Sequence, residues 1–405
     1  MTCVIAGGGP AGAMLALLLA RAGVEVTLLE KHADFLRDFR GDTIHPSTLQ
    51  VLDELGLAGE LLKLPHQEVR EVGLVTDAGE VRLASLRRLP RPYDYIAFVP
   101  QWDFLTILTS AARRYPGFRL LMRAEAYDLI REGGAVRGLR YRDESGEHEL
   151  RADLTVAADG RRSALRERAG LVPRELGAPM DVLWFRLPWH DGDPEDTFLR
   201  VSRGHMMVGI NRVSYWQLAY LIPKGGHDRL VGQGIEALRR PVARLLPFLA
   251  DRVTEIEGYD DVSVLTVAVN RLRRWHRPGF LCVGDAAHAM SPVFGVGINL
   301  AVQDAVAAAN VLAAPLRSGG PVPESLLHRI QRRRTPPTVI TQTAQRVAQN
   351  LLVRRALRGS FDPGALPRDL TRVPLLNRML PRLVGMGVRP EHVATEEVRG
   401  EATHR

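Results

Sequence analysis

The sequence predicts an α/β fold with one parallel sheet, a second sheet-rich region interleaved with it, and a helical C-terminal segment. The first thirty residues alternate strand, glycine turn, helix and strand. Two later stretches, 118–158 and 181–270, carry short apolar segments separated by turn residues, a pattern typical of strands. After Asn299 the pattern is helical almost to the last residue.

The opening segment predicts a strand–turn–helix–strand unit. Thr2–Ala6 is a short apolar run, and Ala11–Ala22 is an apolar helix that ends before Gly23. Glycine is favoured just after a helix because it adopts a left-handed conformation without a steric penalty. Val24–Leu29 is a second apolar strand, which ends at Glu30.

Later elements follow from periodicity and turn residues. Helices are expected at Ser47–Leu57, with Ser47 as the N-cap, at Gln101–Tyr115, and from Arg334 onward. A β-meander is expected from four segments: Leu120–Met122, Ala126–Glu132, Ala135–Asp143 and Glu147–Leu150. The second block offers strands at Trp184–Arg186, His205–Ile210 and Gln217–Leu221, interrupted by a helical stretch at about 232–248.

The glycine loop between the first strand and helix has the spacing G-x-G-x-x-G. Gly7 would make the tight turn, Gly9 would let backbone approach a diphosphate, and Gly12 would let the helix pack closely on the strand. The diphosphate would then lie at the positive end of the helix. Glu30, 18 residues past Gly12, would bind ribose hydroxyls and repel a 2′-phosphate. The sequence therefore predicts a Rossmann-type site for FAD or NAD rather than NADP.

Two further strand ends carry a carboxylate. Thr155–Gly160 is an apolar strand that ends in Asp159-Gly160, and Phe280–His288 ends in Gly284-Asp285 followed by small residues. The second segment leads through Pro292 to a long helix near Asn299. A strand end, a carboxylate and a helix N-terminus suit a ribitol hydroxyl, a phosphate and an anionic ring in turn.

With these three motifs in this order and spacing, the chain resembles the class A, single-component FAD-dependent aromatic monooxygenases similar to p-hydroxybenzoate hydroxylase. The resemblance covers roughly residues 1–315. It implies a glutathione reductase-like FAD-binding domain, reduction by NADPH or NADH as a transient partner, and hydroxylation of an aromatic or polycyclic small molecule by O2 through a C4a-hydroperoxyflavin. It also implies a discontinuous FAD-binding domain (1–75, 96–175 and 270–315), a β-sheet substrate domain (76–95 and 176–269) and a C-terminal helical region (316–405).

The resemblance assigns roles residue by residue. Pro292 would lie beside the reactive edge of the flavin, and no obligatory acid or base is identified. The cofactor-binding set comprises Gly7, Gly9, Ala11, Gly12, Glu30, Lys31, Arg40, Gln101, Ala126, Asp159, Asp285, Gly297, Ile298 and Asn299. Backbone N–H groups of the last three would face the pyrimidine ring, where the helix end stabilises reduced flavin. Candidate substrate residues are Trp184, Arg186, His205, Met207, Asn211, Tyr215 and Gln217.

Several simpler interpretations stay open. Arg40 could pair with Asp38 or Asp42, and His288 is more often a structural group than a base. The apolar-rich stretch Leu375–Val384 could cover the substrate entrance, form a homodimer contact or, less readily, touch a membrane surface.

Composition narrows the partners and the compartment. The positive charges behind the net charge of +8 are almost all arginines scattered among acids, with Lys31, Lys63 and Lys224 the only lysines. Because scattered charges do not form a binding face, we expect no nucleic acid as a partner. Two isolated cysteines predict neither disulfide nor metal site, and no uninterrupted apolar run predicts an integral membrane segment. We therefore expect a cytoplasmic protein.

Two other functions remain as alternatives. The first keeps FAD but changes the chemistry to halogenation, double-bond reduction or oxidase activity. The Trp-x-Trp-x-Ile-Pro segment of flavin halogenases does not occur in the sequence. The second alternative is a flavin-binding protein without catalysis.

Overall fold

The computed structural model describes residues 2–36, 42–202, 204–362 and 369–398. The helices of these ranges, in chain order, are α1 (Pro10–Arg21), α2 (Pro46–Glu54), α3 (Ala58–Leu61), α4 (Gln101–Ala112), α5 (Ala164–Arg168), α6 (His227–Gly232), α7 (Glu236–Leu245), α8 (Gly297–Ser318), α9 (Glu324–Ala348), α10 (Arg354–Leu357) and α11 (Pro374–Pro381). The strands are β1 (Thr2–Ala6), β2 (Glu25–Glu30), β3 (Thr43–Ile44), β4 (Gln67–Val69), β5 (Glu71–Thr76), β6 (Gly79–Ser85), β7 (Ile96–Phe98), β8 (Phe118–Met122), β9 (Glu125–Glu132), β10 (Ala135–Asp143), β11 (Gly146–Arg151), β12 (Leu154–Ala157), β13 (Pro173–Glu175), β14 (Met180–Pro188), β15 (Phe198–Ser202), β16 (His205–Asn211), β17 (Tyr215–Pro223), β18 (Ser263–Leu265), β19 (Asn270–Leu272), β20 (His276–Arg277) and β21 (Phe280–Cys282).

The first sheet has the strand order β20-β21-β12-β1-β2-β8. All neighbours in it are parallel except the edge pair β20–β21. Helix α1 is buried along almost its whole length because its residues are Ala, Leu, Met and Gly, and it packs against α8 and α4. This is the α/β arrangement that the first thirty residues predict.

Helix α8 belongs to this core. The segment Val293–Ser318 is long and apolar enough to span a membrane, but 83% of its most apolar window is buried inside the protein. Its alanine-rich faces pack against α1 and α9. Its apolar composition is therefore accounted for by packing in the fold.

Local boundaries differ from the predictions, and three of the differences concern the cofactor half of the chain. Helix α1 begins at Pro10 because proline fits the first helical position, where no N–H is needed. Helix α2 begins at Pro46 with His45 as N-cap, so the prediction of Ser47 as N-cap is wrong. Strand β8 pairs in parallel with β2, so the meander consists of β9, β10 and β11 alone.

The second sheet has the order β18-β14-β17-β16-β15-β5-β6. It includes β5 and β6 from the segment 71–85, so the strands of this sheet start before residue 76. The domain boundary at residue 76 stays a prediction. Helix α7 covers one face through Leu238, Val242 and Leu245. The opposite face carries Val182 and Ala219, and packs against elements that include the segment preceding α8.

Among the described residues, the C-terminal segment carries helices α9 to α11 and a last helical turn that ends at Met386, and residues 387–398 have no helix. Helix α9 starts at Glu324, ten residues before the predicted start at Arg334, and continues through Pro336 and Pro337. The final stretch lies across the first domain, where the Glu54 carboxylate accepts the backbone N–H of Val393 (2.7 Å). These contacts depend on distant residues and have no local sequence pattern.

Candidate functional site

Three strand ends meet at the carboxyl edge of the first sheet. The register pairs Ala6 with Leu29 on one side and with Ala157 on the other, and Ala157 with Cys282. The glycine loop, the Asp159 turn and the Gly284 turn follow directly from these ends. Loops at the carboxyl edge of a parallel sheet form the ligand site in this class of fold. The three sequence motifs thus form one site.

The glycines of the loop have different surroundings. A Cβ on Gly7 would lie 2.4 Å from the Ala158 carbonyl oxygen, and one on Gly12 would lie 1.9 Å from the Gly7 carbonyl oxygen. Gly7 also has φ +105°, which favours glycine. By contrast, a Cβ on Gly9 meets no atom of the described residues within 4 Å. Gly7 and Gly12 therefore close the turn, and Gly9 leaves open space at the start of α1.

The start of α1 provides hydrogen-bond donors toward that space. Gly9 is the N-cap, and within the described ranges no side chain caps this helix end. The first backbone N–H groups of a helix have no partner inside the helix, and the helix dipole makes this end positive. An anionic diphosphate fits both features.

Glu30 lies beside the loop at the end of β2 and is 6% exposed. One carboxylate oxygen accepts the backbone N–H of Gly8 (3.1 Å) and the other that of His32 (3.0 Å). These bonds hold the carboxylate in place next to the glycine loop, where the sequence predicts a ribose contact.

The Asp159 turn and the Gly284 turn are tied together by an arginine that the sequence analysis missed. The buried guanidinium of Arg166 donates to the carbonyls of Ala286 (3.1 Å) and Arg161 (2.9 Å). Arg161 in turn pairs with Asp285 at 3.7 Å, both partly exposed. The sequence signal for arginine contacts at this turn was the pair Arg161-Arg162 directly after Asp159-Gly160.

Asp159 has capacity left for a ligand. Its Oδ2 accepts the N–H of Leu165 (3.3 Å) near the start of α5, while its buried Oδ1 has no hydrogen-bond partner among the described residues. Burial raises the pKa of Asp159, and hydrogen bonds from Ser163 and Leu165 oppose that rise. A buried oxygen of this kind costs free energy unless a partner is supplied.

The start of α8 forms the second open helix end. Gly297 is the first helical residue, preceded by Val296, and no described side chain caps it. A Cβ on Gly297 would also meet no atom of the described chain within 4 Å. The N–H groups of Gly297, Ile298 and Asn299 therefore lie in the first turn, where they have no helical acceptor.

The side chain of Asn299 is fixed from α2. Its Oδ1 accepts hydrogen bonds from the hydroxyls of Ser47 and Thr48, both at 2.7 Å. His45, at the N-cap of α2, contacts the Val384 carbonyl through Nδ1 (2.7 Å). Ser47, which the sequence suggested as a helix cap, thus holds the start of α8 together with Thr48.

The second sheet divides the candidate substrate residues between its two faces. Alternation along β14 and β17 places four of them on the face that shares its apolar cluster with Val293 of the segment before α8: Trp184, Arg186, Tyr215 and Gln217. The guanidinium of Arg186 lies 4.9 Å from the centre of the Tyr215 ring. We call this the inner face.

The other three candidates lie elsewhere. Met207 is fully buried beneath α7, and His205 contacts the hydroxyl of Tyr220 (2.6 Å) in the same layer. Asn211 stabilises the β16–β17 turn by accepting the N–H of Val213 (2.7 Å). The structure therefore does not bring these three side chains to the inner face.

Gln217 connects the inner face to the first domain. Its Nε2 donates to Asp42 (3.1 Å) and its Oε1 accepts from Arg212 Nε (3.0 Å), while Arg212 also pairs with Asp42. Burial raises the pKa of Asp42, although the Arg212 guanidinium and hydrogen bonds, including the backbone N–H of Gln101, oppose this. Gln101, the first residue of α4, is thereby fixed beside this buried pair.

The remaining cofactor candidates lie around these groups. Ala126 follows a segment in which the Ala124 N–H donates to the Glu30 carbonyl (2.9 Å). Lys31 is exposed directly after Glu30. Arg40 lies outside the described residues.

His288 belongs to a buried ion-pair cluster behind the Gly284 turn. Its Nε2 lies 2.6 Å from Asp304, which also accepts the Gly284 N–H (3.2 Å) and pairs with Arg334 at 2.9 Å. Arg334 continues to Glu391 at 3.3 Å. From its charge alone, the arginine run 332–334 would be interpreted as a solvated helix end, but Arg334 is 1% exposed and lies inside the cluster. His288 has a structural environment.

A protein family described as an FAD binding domain matches residues 1–346. Among curated relatives, a 6-methylpretetramide 4-monooxygenase from Streptomyces rimosus is 36% identical over 346 residues, covering 83% of this chain and 80% of the relative. A digeranylgeranylglycerophospholipid reductase from Methanothrix thermoacetophila is 26% identical, covering 80% of each. The crystal structure of PqsL from P. aeruginosa in complex with 2-aminobenzoylacetate is similar in fold, with a TM-score of 0.76 at 23% identity, covering 89% of this chain and 99% of PqsL.

Proposed function

The chain belongs to the FAD-binding family of flavoprotein monooxygenases, and we propose that it hydroxylates an aromatic or polycyclic small molecule with O2 and NADPH or NADH. The observation that carries the proposal is the convergence of the glycine loop, the Asp159 turn and the Gly284 turn at one sheet edge. The open space at Gly9 and the Oδ1 of Asp159, which has no partner among the residues that the structure describes, fit FAD.

The residues present would hold FAD in two halves. Gly9, Ala11 and Gly12 would bind the diphosphate at the start of α1, with Glu30 on the adenosine ribose. Asp285 would bind the ribityl hydroxyls, and Arg161 orients its carboxylate. Gln101 would lie beside the ribityl chain. The remaining members of the proposed set are Gly7, Lys31, Arg40, Ala126 and Asp159.

The chemistry comes from the cofactor: reduced flavin activates O2 and supplies the oxygen atom. The protein's part is position and electrostatics. The first turn of α8 would place the N–H groups of Gly297, Ile298 and Asn299 at the pyrimidine ring, where the positive helix end stabilises anionic reduced flavin. Pro292 would shape the edge at which the substrate approaches.

The substrate would lie between this edge and the inner face. Trp184 and Tyr215 offer aromatic surfaces to a planar ring, and Arg186 offers a cation next to Tyr215. The relative from Streptomyces rimosus is named for a 4-monooxygenase reaction on 6-methylpretetramide, which supports a polycyclic substrate here.

Reduction would use a nicotinamide nucleotide that binds transiently, since the sequence has one glycine fingerprint and that site is proposed for FAD. A cytoplasmic location fits the two free, buried cysteines Cys3 and Cys282. A homodimer stays a prediction.

Double-bond reduction is the second candidate function, because a reductase is among the relatives. A substrate screen separates the two. Purified holoenzyme is mixed anaerobically with NADH or NADPH and one compound from a panel of polycyclic phenols or isoprenoid lipids, and flavin reduction is followed at its visible absorption band. The proposal expects polycyclic phenols to accelerate reduction and to gain oxygen once air is admitted. Saturated isoprenoid product without oxygen incorporation would contradict it.

A further inference from the structure

Helix α9 and the residue directly after it carry three buried glutamines that the sequence analysis did not single out. Gln342, Gln345 and Gln349 are spaced three and four residues apart, which places them on one face of the helix. Each is at most 2% exposed. Burying an amide is unfavourable unless its donors and acceptor are hydrogen-bonded. A row of three therefore requires a polar surface opposite it.

For Gln345 and Gln349 that surface is the loop carrying Pro292, whereas Gln342 donates to the carbonyls of Asn270 and Ala289. Gln345 donates from Nε2 to the carbonyls of Ser291 (2.9 Å) and Val293 (2.8 Å), and its Oε1 accepts the Ser291 N–H (3.3 Å). Gln349 donates to the Ser291 hydroxyl (2.6 Å), which accepts the Val293 N–H (3.2 Å). The two side chains thus pair the backbone on both sides of Pro292.

The same loop is strained at its other end. Phe294 has φ +70° and Gly295 has φ +65°. A non-glycine residue in this left-handed region persists only where the surroundings hold it. Thr43 supplies part of that hold, since its hydroxyl donates to the Gly295 carbonyl (2.7 Å). The loop is therefore clamped by α9 at its start and by Thr43 at its end.

We propose that Gln345 and Gln349 are positioning residues for the flavin. They act through the loop: by fixing Ser291 and Val293 they set the place of Pro292 and of the first turn of α8. The inference rests on the proposed placement of FAD. It assigns to the C-terminal helix α9 a role in shaping the cofactor site, although neither glutamine belongs to the proposed cofactor-binding set.

The test compares Gln345→Met with the control Thr338→Val. Methionine keeps the length of the side chain and removes its hydrogen bonds. Thr338 is buried on the same helix, and the one bond of its hydroxyl among the described residues is to the Arg334 carbonyl of that helix (2.9 Å). For each variant, FAD affinity is measured by fluorescence titration of the FAD-free protein, and the environment of bound flavin by visible circular dichroism. Urea unfolding of the FAD-free proteins measures any general loss of stability.

For Gln345→Met we expect the FAD dissociation constant to rise by about tenfold and the visible dichroism of bound flavin to change shape. For Thr338→Val both stay as in the wild type, even if its free energy of unfolding falls. Gln345→Met with wild-type affinity and an unchanged spectrum would overturn the inference, as would equal shifts in the control.

If Gln345→Met does not fold, Gln349→Met provides the same readouts, because it removes a single donor to Ser291. We then expect a rise of about threefold in the dissociation constant and a changed spectrum, and unchanged values refute the inference. A wild-type protein that takes up no FAD would refute the proposed function as well. Wild-type binding with unaffected variants refutes the inference alone.

Discussion

Replacing Gly9 with alanine is predicted to weaken FAD binding without harming the fold. Gly9 has φ −73° and ψ −178°, an extended conformation that alanine also adopts. The added Cβ meets no atom of residues that the structure describes within 4 Å. A Gly→Ala change at a compatible backbone position stabilises a protein by about 0.4–1 kcal/mol through the unfolded state. Because a helix N-cap favours glycine over alanine, this gain is offset at Gly9, and the FAD-free variant should be about as stable as the wild type.

The same methyl group would occupy the space through which a diphosphate approaches the start of α1. Loss of one hydrogen bond to a charged group costs about 1.5–3 kcal/mol. This corresponds to a rise of about 10- to 150-fold in the FAD dissociation constant. Fluorescence titration of FAD-free protein measures this change, and urea unfolding measures the stability.

Gly12→Ala is the matched control with the opposite expectation. Its Cβ would lie 1.9 Å from the Gly7 carbonyl oxygen, so the loop must shift and the FAD-free protein itself should lose stability. Wild-type FAD affinity in Gly9→Ala would refute the placement of the diphosphate over Gly9. Equal destabilisation of both FAD-free variants would refute the division of roles between the glycines.

Three further predictions follow. Burial lowers the pKa of His45 to about 4 from 6.5, so the unfolded state takes up the proton first and about 3 kcal/mol of stability is lost as pH falls from about 6.5 to 4; His45→Asn should reduce that loss in urea unfolding at the two pH values, and an unchanged pH dependence would contradict it. Asp304→Asn removes the carboxylate at 2.9 Å from the buried Arg334 and leaves Glu391 at 3.3 Å, so it should cost up to about 3–5 kcal/mol; a loss under about 1 kcal/mol in urea unfolding would show that the pair with Asp304 is unimportant. Tyr215→Ala should raise KM for a productive substrate by about tenfold whereas His205→Ala should not, and steady-state kinetics with equal effects would show that the two sheet faces are not distinguished.

The cofactor edge was predictable from sequence because its signals are local. A strand, a glycine turn and a helix are adjacent in the chain, and parallel pairing of β1, β12 and β21 then brings the three motifs to one edge. The contrast between a crowded Gly7 and an open Gly9 was also predictable from the spacing of the glycines. The FAD family was predicted correctly from these motifs.

Which candidate substrate residues lie on the same face of the second sheet was not predictable, because the alternation of side chains along a strand gives two faces without saying which is covered. The packing of α7 on Met207, the bond from Gln217 to Asp42 and the apolar cluster shared with Val293 distinguish them. The pairing of β8 with β2 was missed for a related reason: an apolar edge strand of a parallel sheet looks like one strand of a meander.

Contacts over long sequence separations were also beyond reach. Arg334 belongs to a charged run that is usually solvated, and its burial depends on Asp304 and Glu391 from other elements. The spacing of Gln342, Gln345 and Gln349 is a signal for one helix face. Without the loop at Pro292, however, nothing indicated what that face would bind.

Labelling with ¹⁸O₂ tests directly whether this enzyme transfers oxygen from O2 to its substrate. The holoenzyme, NADPH or NADH, and a polycyclic phenol that accelerates flavin reduction are incubated under ¹⁸O₂, and the product is analysed by mass spectrometry. If the enzyme is a monooxygenase, we expect a product carrying one ¹⁸O atom, formed in step with consumption of the nicotinamide nucleotide. Product without the label, or hydrogen peroxide equal to the nucleotide consumed with every compound that accelerates reduction, would contradict it.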